Sequence, residues 1–301
     1  MGEMRKGGVI IYKLLAVDID GTLITTDMKL TGVTRRAIAR AQERGLRVTL
    51  ATGRSFRSAL NYAQQLDIDL PLICANGALI IDRKGNVLQE SALPGEVAAQ
   101  LLTEMVEAGF FVQAYHDQGI FSVGPPPNVF QWIRAICGDK PKLSHILYSF
   151  REYRRCAITH KGDLPKLLAQ GQVRVHKLFC SGPLEAQDYF QDRASERGLT
   201  VEFYPQGSRM YLEIMAANVS KGNALKVVAR SLGVPMAETI AVGDNLNDLS
   251  MVEMAGLGVA MGNGHPQLKQ AADFVTDSND QDGVAVLIQQ VLTPADDRPA
   301  M

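Results

Sequence analysis

Residues 12–23 read Tyr12-Lys13-Leu14-Leu15-Ala16-Val17-Asp18-Ile19-Asp20-Gly21-Thr22-Leu23. A short apolar run meets two carboxylates and a glycine, the pattern of a buried strand that ends where the chain must turn sharply. Outward from it, Thr31–Arg44 has helical spacing and stops before Gly45, Leu46–Ala51 is a second apolar run, Phe56–Leu66 is helical, and Leu70–Ala75 is a third run. The order is β-α-β-α-β. Apolar strands separated by helices predict a parallel sheet covered on both faces, and such sheets bind ligands beyond the carboxyl ends of their strands.

The same rhythm returns near the C-terminus. A helix is expected over Lys221–Leu232, then strand Thr239–Val242, helix Asp248–Ala255, strand Leu257–Ala260, helix Pro266–Ala271, strand Asp273–Thr276 and helix Gly283–Leu292. Between about 85 and 213 the pattern changes: helix Gly95–Ala108, a strand pair Phe110–Tyr115 and Gly119–Val123, Pro125-Pro126-Pro127, helix Leu184–Arg197, and strands Thr200–Tyr204 and Met210–Ile214. Two helices on an antiparallel sheet make an α+β unit. The fold class expected is therefore α/β, a Rossmann-like doubly wound parallel sheet built from 1–84 and 214–301, with an α+β domain inserted at 85–213.

Composition narrows the function classes. Lys and Arg number 31 against 32 Asp and Glu, so no positive excess is present to displace counterions from a nucleic-acid backbone. Apolar residues never run to the length of a membrane span, and the first fifteen residues lack the features of a secretory signal. A cytoplasmic protein with no membrane and no nucleic-acid partner is expected. Cys74, Cys137, Cys156 and Cys180 are scattered and the five histidines show no zinc spacing, so the cysteines read as buried small apolar residues.

The chemistry gathers at strand ends. Asp18 and Asp20 stand at i and i+2 on an extended segment and point the same way. Like charges this close call for a compensator, and Mg²⁺, which prefers hard oxygens, would supply it. Thr52-Gly53-Arg54-Ser55, between a strand and a helix, offers a hydroxyl and backbone N–H groups to an anion, or simply caps the helix. Cys74-Ala75-Asn76-Gly77 ends the third run, either in a ligand-facing loop or in an ordinary turn. Lys221 in a helix's first turn opposes the macrodipole, so either something negative holds it or it is simply solvated. Gly243-Asp244-Asn245-Leu246-Asn247-Asp248 adds two carboxylates and two amides, and Asp244 is placed after its strand much as Asp18 is.

Together these segments resemble the haloacid dehalogenase-like phosphohydrolases. Asp18-Ile19-Asp20-Gly21-Thr22 looks like their first motif, Thr52 the second, Lys221 the third, and Gly243-Asp244 with Asn247-Asp248 the fourth. Ala51-Thr52-Gly53-Arg54, Asn76-Gly77, Leu212-Glu213-Ile214-Met215, Ser220-Lys221-Gly222, Gly258-Val259-Ala260-Met261-Gly262 and Val275-Thr276-Asp277-Ser278-Asn279 resemble the Cof-type branch, whose α+β cap (type IIB) lies between the second and third motifs. The resemblance covers nearly the whole chain.

It implies a phosphatase for small phosphorylated metabolites, sugar phosphates first among them, working through an aspartyl-phosphate. Asp18 would be the nucleophile and Asp20 the general acid and then base. Asp18, Asp20 through its backbone carbonyl, and Asp244 would hold Mg²⁺. Ile19 and Gly53 through their backbones, Thr52, Lys221 and Asn247 would clamp the phosphoryl oxygens, with Asp248 orienting Lys221 or a metal-bound water. Tyr115 and His116, beside Asp117 at a strand end, and Arg209, in the loop Gln206-Gly207-Ser208-Arg209, are the expected specificity residues of the cap. A phosphomutase of the same superfamily carries the same four motifs, and a non-catalytic phosphoacceptor or nucleotide-binding module shares the fold; the paired Asp18 and Asp20 speak against a decayed site. Neither Gly-x-Gly-x-x-Gly nor a P-loop occurs.

Overall fold

The computed structural model describes residues 12–123, 143–206 and 209–292, excepting the side chains of 183, 187, 204–206, 209 and 210. Cys137 and Pro125-Pro126-Pro127 lie outside the described residues.

Strands β1 (Leu14–Val17), β2 (Arg47–Leu50), β12 (Thr239–Gly243), β13 (Leu257–Ala260) and β14 (Phe274–Val275) form a parallel sheet in the order β14-β13-β12-β1-β2. Both faces are dry, as the uninterrupted apolar runs require. Leu15, Val17, Leu50 and Val242 pack with helices Gly32–Glu43, Phe56–Gln65 and Gly283–Leu292. Leu14, Ala16 and Ala241 turn the other way, onto helices Lys221–Ser231 and Leu249–Met254. Each fully buried Leu, Ile or Val contributes roughly 1.5–3 kcal/mol, which holds neighbouring strands in one register. Val17 pairs with Val242 on one side and Leu50 on the other, so β1, β2 and β12 release their next residues at one level. That alignment is what brings Asp18, Thr52 and Asp244 together.

The third run joins differently from the simple parallel pattern. Strand β3 (Leu72–Cys74) meets the core sheet through one parallel bridge, Ala51 to Ile73, and then pairs antiparallel with β4 (Leu79–Ile81), which pairs with β5 (Val87–Glu90).

A second sheet has the order β10-β11-β9-β6-β7-β8, comprising β6 (Phe111–His116), β7 (Gly119–Val123), β8 (Ile158–His160), β9 (Lys177–Pro183), β10 (Thr200–Gln206) and β11 (Arg209–Met215). It is antiparallel except where β8 lies parallel to β7, a departure from the purely antiparallel sheet expected. Its apolar face, with Val112, Ala114, Leu178, Cys180, Leu212 and Ile214, packs on helices Gly95–Glu107, Leu164–Ala169 and Gln187–Glu196, one more helix than the sequence reading counted. A further helix, Leu143–Arg155, reaches the core instead. Because side chains alternate along a strand, Gln113, Tyr115, Phe179, Tyr211 and Glu213 occupy the opposite face, toward the strand ends of the core. No described helix is long and apolar enough to cross a membrane.

Candidate active site

After β1 the chain makes a wide turn over Ile19–Leu23, closed by the Leu23 N–H to the Asp18 carbonyl (3.2 Å) and the Ile24 N–H to the Ile19 carbonyl (3.1 Å). Asp18 is buried at the end of its strand, its own N–H donating to the Val242 carbonyl at 3.0 Å. Lys221 Nζ, fully buried, donates to Asp18 Oδ1 at 2.7 Å and to Asp248 Oδ1 at 2.6 Å. Ser220 caps that helix by accepting from the Asn223 N–H, so the lysine sits in the first turn against the helix dipole and is held by two carboxylates. Their charges, acting against burial, raise the Lys221 pKa.

Asp248 accepts with its other oxygen from the N–H groups of Asp244 (2.9 Å) and Asn245 (3.1 Å), which fixes the loop after β12. Asp244 in turn accepts from Thr22 Oγ1 at 3.1 Å, tying the fourth motif to the first. Negative charge exceeds what one lysine balances. Burial pushes the Asp18 carboxyl well above its usual range; Lys221 opposes this, and Asp248, Asp244 and Asp20 add to it. Asp244 is pushed up to about 7 by burial and by Asp248. Asp18, Asp244 and Asp248 can each bring one oxygen within 4.8 Å of the others, a spacing suited to a divalent cation. Since both Asp248 oxygens are already engaged, Asp18 and Asp244 are the better-placed donors.

Gly21 makes this possible. It adopts φ +72°, and a Cβ there would lie 2.3 Å from Asp244 Oδ2. Gly21→Ala is expected to cost about 1–3 kcal/mol through backbone strain alone and to displace Asp244. Thermal denaturation checks the cost: the variant should melt lower than wild type.

On the β2 side, Thr52 is fully buried and its Oγ1 accepts from the Arg54 N–H at 3.2 Å. Gly53 faces the cavity at a place where a Cβ would stand 2.6 Å from Asn76 Oδ1. Asn247 Nδ2 donates to that same Oδ1 at 3.4 Å. Asn76, at φ 57°, gives its own amide hydrogens to Glu202 Oε2 (2.5 Å) and Glu213 Oε2 (2.6 Å) of the second sheet. Lys177 completes the junction by donating to the Gly53 carbonyl and to Glu213 Oε1, both at 2.6 Å.

Arg54 clasps Asp20 with two nitrogens, Nε donating to Oδ2 at 2.7 Å and the other to Oδ1. The Asp20 side chain stays half exposed; its partial loss of solvent would raise the pKa, but the charge and hydrogen bonds of Arg54 overcome this and hold the carboxyl below its usual value. Arg54 also contacts Ser58 Oγ (2.8 Å), Glu152 Oε2 (3.3 Å) and the Tyr148 hydroxyl, so helix Leu143–Arg155 is bound to the second motif.

A cavity of about 470 Å³ opens between the two sheets, with Asp18, Asp20, Gly53, Asp244 and Asn247 on the core side. Tyr115 lines it. His116 does not: it projects from the other face of β6, stacked on Phe121 at 4.0 Å and hydrogen-bonded to Asp117. β10 and β11 pair as expected, but the Arg209 side chain lies outside the described residues.

The family follows from comparison with known proteins. The profile of the haloacid dehalogenase-like hydrolases matches residues 15–288. The chain belongs to that family. Among its relatives, phosphatase YwpJ of Bacillus subtilis is 28% identical over 93% of this chain and 100% of its own length. HMP-PP phosphatase of Serratia proteamaculans is 30% identical over 86% of this chain and 87% of its own. A solved haloacid dehalogenase-like hydrolase from B. subtilis superimposes with a TM-score of 0.80 at 27% identity, covering 93% of this chain and 100% of that one. This haloacid dehalogenase-like hydrolase is thus a Cof-type phosphatase with a Rossmann-like core and an additional cap sheet.

Sequence reasoning missed Lys177, Glu202, Gln113, Tyr148 and Glu152, and gave Arg54 and Glu213, quoted only within longer segments, no role of their own. For Lys177 a signal existed. In Lys177-Leu178-Phe179-Cys180-Ser181 the small and aliphatic residues alternate with a lysine and a serine, which marks a half-buried strand with a polar face.

Proposed function

We propose that this phosphatase hydrolyses a small phosphorylated metabolite, sugar phosphates first among them, with Mg²⁺ and through a phosphoryl group carried on Asp18. The observation that supports this most directly is the buried Lys221 shared by Asp18 and Asp248 beside Asp244. An oxygen of Asp18 attacks phosphorus and the bond from phosphorus to the leaving alcohol breaks, while Asp20 delivers a proton to that alcohol. In the second step Asp20 takes a proton from water, whose oxygen attacks phosphorus, and the bond to Asp18 breaks to release phosphate. Arg54 keeps Asp20 ionised before substrate enters, the form needed for the second step. A phosphate dianion placed beside Asp20 favours proton uptake, the form needed for the first.

Asp18, the Asp20 carbonyl and Asp244 would hold Mg²⁺, whose charge would offset that of the carboxylates and of the phosphoryl oxygens. Thr52, Lys221, Asn247 and the backbone N–H groups of Ile19 and Gly53 would neutralise and position the transferred group. The core from 1–84 and 214–301 carries this chemistry, and the insertion at 85–213 covers it.

The raised carboxyl of Asp244 gives the proposal a pH signature. A carboxyl with a higher pKa in the folded than in the unfolded chain favours folding while both forms are protonated, and that contribution is lost as pH rises through the folded value, about 7 here. Cation binding competes with that proton. Mg²⁺ at roughly 100-fold excess over its Kd should therefore add about 2–3 kcal/mol of stability above pH 8 and much less near pH 5. Thermal scans at the two pH values, alongside phosphate release from p-nitrophenyl phosphate with Mg²⁺ or with chelator, check this. Equal stabilisation at both pH values, or release unaffected by chelator, contradicts the metal assignment. Isomerised phosphorylated product in place of free phosphate would mark a mutase.

A further inference from the structure

The cap's inner face holds a polar group without a partner. Gln113, on β6, is 2% exposed and lines the cavity, yet among the described residues its Nε2 has no hydrogen-bond acceptor. Register places Gln113 opposite Phe179 of β9, and Phe179 opposite Glu213 of β11, in one cross-strand row. Glu213 is engaged through both oxygens, by Lys177 and Asn76. The Phe179 ring is stacked on Tyr211, centroids 5.7 Å apart and planes 27° apart, and both rings line the same cavity. Ile120 forms part of the wall.

A buried amide with an unused donor is costly unless something entering the site uses it. A flat aromatic pair beside it favours a flat occupant over a flexible chain, because a ring covers both faces of contact with little conformational entropy to lose. Asp18 and Asp20 stand on the opposite side of the cavity, so a phosphate held there points its leaving group at this wall.

We propose that Gln113 is a specificity-determining residue that donates a hydrogen bond to an acceptor on the leaving group, and that the leaving group is a ring packed on Phe179 and Tyr211. This rests on the phosphatase reading above and names its substrate class: phosphomonoesters of ring-bearing alcohols with an acceptor on the ring. A pyranose and a heteroaromatic ring share that chemistry. Open-chain polyol phosphates do not present it.

The test compares wild type with Gln113→Leu, which keeps the volume and removes the amide, on four probes: glucose 6-phosphate, pyridoxal 5′-phosphate, sorbitol 6-phosphate and acetyl phosphate. The better of the two ring esters identifies the source of the ring. Wild type should favour at least one ring ester over sorbitol 6-phosphate by tenfold or more in kcat/KM. Gln113→Leu should lower kcat/KM for that ester by about 10–100-fold, while acetyl phosphate, too short to reach the wall, changes less than about twofold. Gln113→Asn, retaining the amide on a shorter stem, should recover part of the loss. An equal fall on acetyl phosphate would make Gln113 a structural residue, and an unchanged ring ester would remove it from recognition; either overturns the proposal. Release of phosphate from none of the four probes by wild type would instead overturn the phosphatase reading, and this inference with it.

Discussion

Asp18→Asn should abolish phosphate release, by about 10⁴-fold or more, while leaving the protein folded. In the proposed reaction the carboxylate is the attacking group, and an amide oxygen at the same place is far less nucleophilic. The fold should survive because the amide can still accept from Lys221, whose second partner, Asp248, is untouched. Circular dichroism and thermal denaturation establish folding, and a steady-state assay establishes the loss. Activity within tenfold of wild type would exclude Asp18 as nucleophile.

Lys221→Met has the other large expected effect, on stability. The side chain is fully buried between Asp18 and Asp248, themselves buried, so its removal leaves two carboxylates facing each other without a cation. Breaking a buried ion pair from one side costs about 3–5 kcal/mol, which for a chain of this kind lowers Tm by roughly 10 °C. The sign with pH is defined. In the variant Asp18 loses the cation that opposes its raised carboxyl pKa, so the deficit should shrink as pH falls and that carboxyl takes up a proton. Melting curves of variant and wild type in chelator at about pH 5 and pH 8 test it. A deficit that grows toward low pH would mean that Lys221 is not the charge partner of these carboxylates.

How far the sequence foretold this molecule depends on distance along the chain. Asp18, Thr52, Lys221 and Asp244 were legible because each sits at a junction that local pattern reveals: an apolar run that stops, a glycine, a helix that starts. A parallel sheet then does the rest, since its strands end at one level. Lys221 is instructive, because its unfavourable place in a first turn was itself the clue that an anion holds it. The cap was less legible. Gln113, Phe179 and Glu213 form one row only because β6, β9 and β11 pair across separations that no local window contains. β9 itself escaped notice, and with it Lys177, the residue that joins the cap to the Gly53 carbonyl. His116 shows the converse: its chemistry beside Tyr115 suits a specificity role, but adjacent residues on a strand face opposite sides, and of the two only Tyr115 meets the cavity. The Arg54 clasp on Asp20 lay hidden for a related reason, since it needs Tyr148 and Glu152 from a helix far along the chain.

In the proposed reaction Asp18 carries the phosphoryl group between the two steps. Acid-quenching the enzyme during turnover and reducing it with borohydride converts an aspartyl-phosphate to homoserine, which peptide mass spectrometry can locate. Homoserine at position 18, absent without substrate, is the predicted result. Turnover in rapid-quench samples with residue 18 recovered only as aspartate, or homoserine at another position, would contradict it.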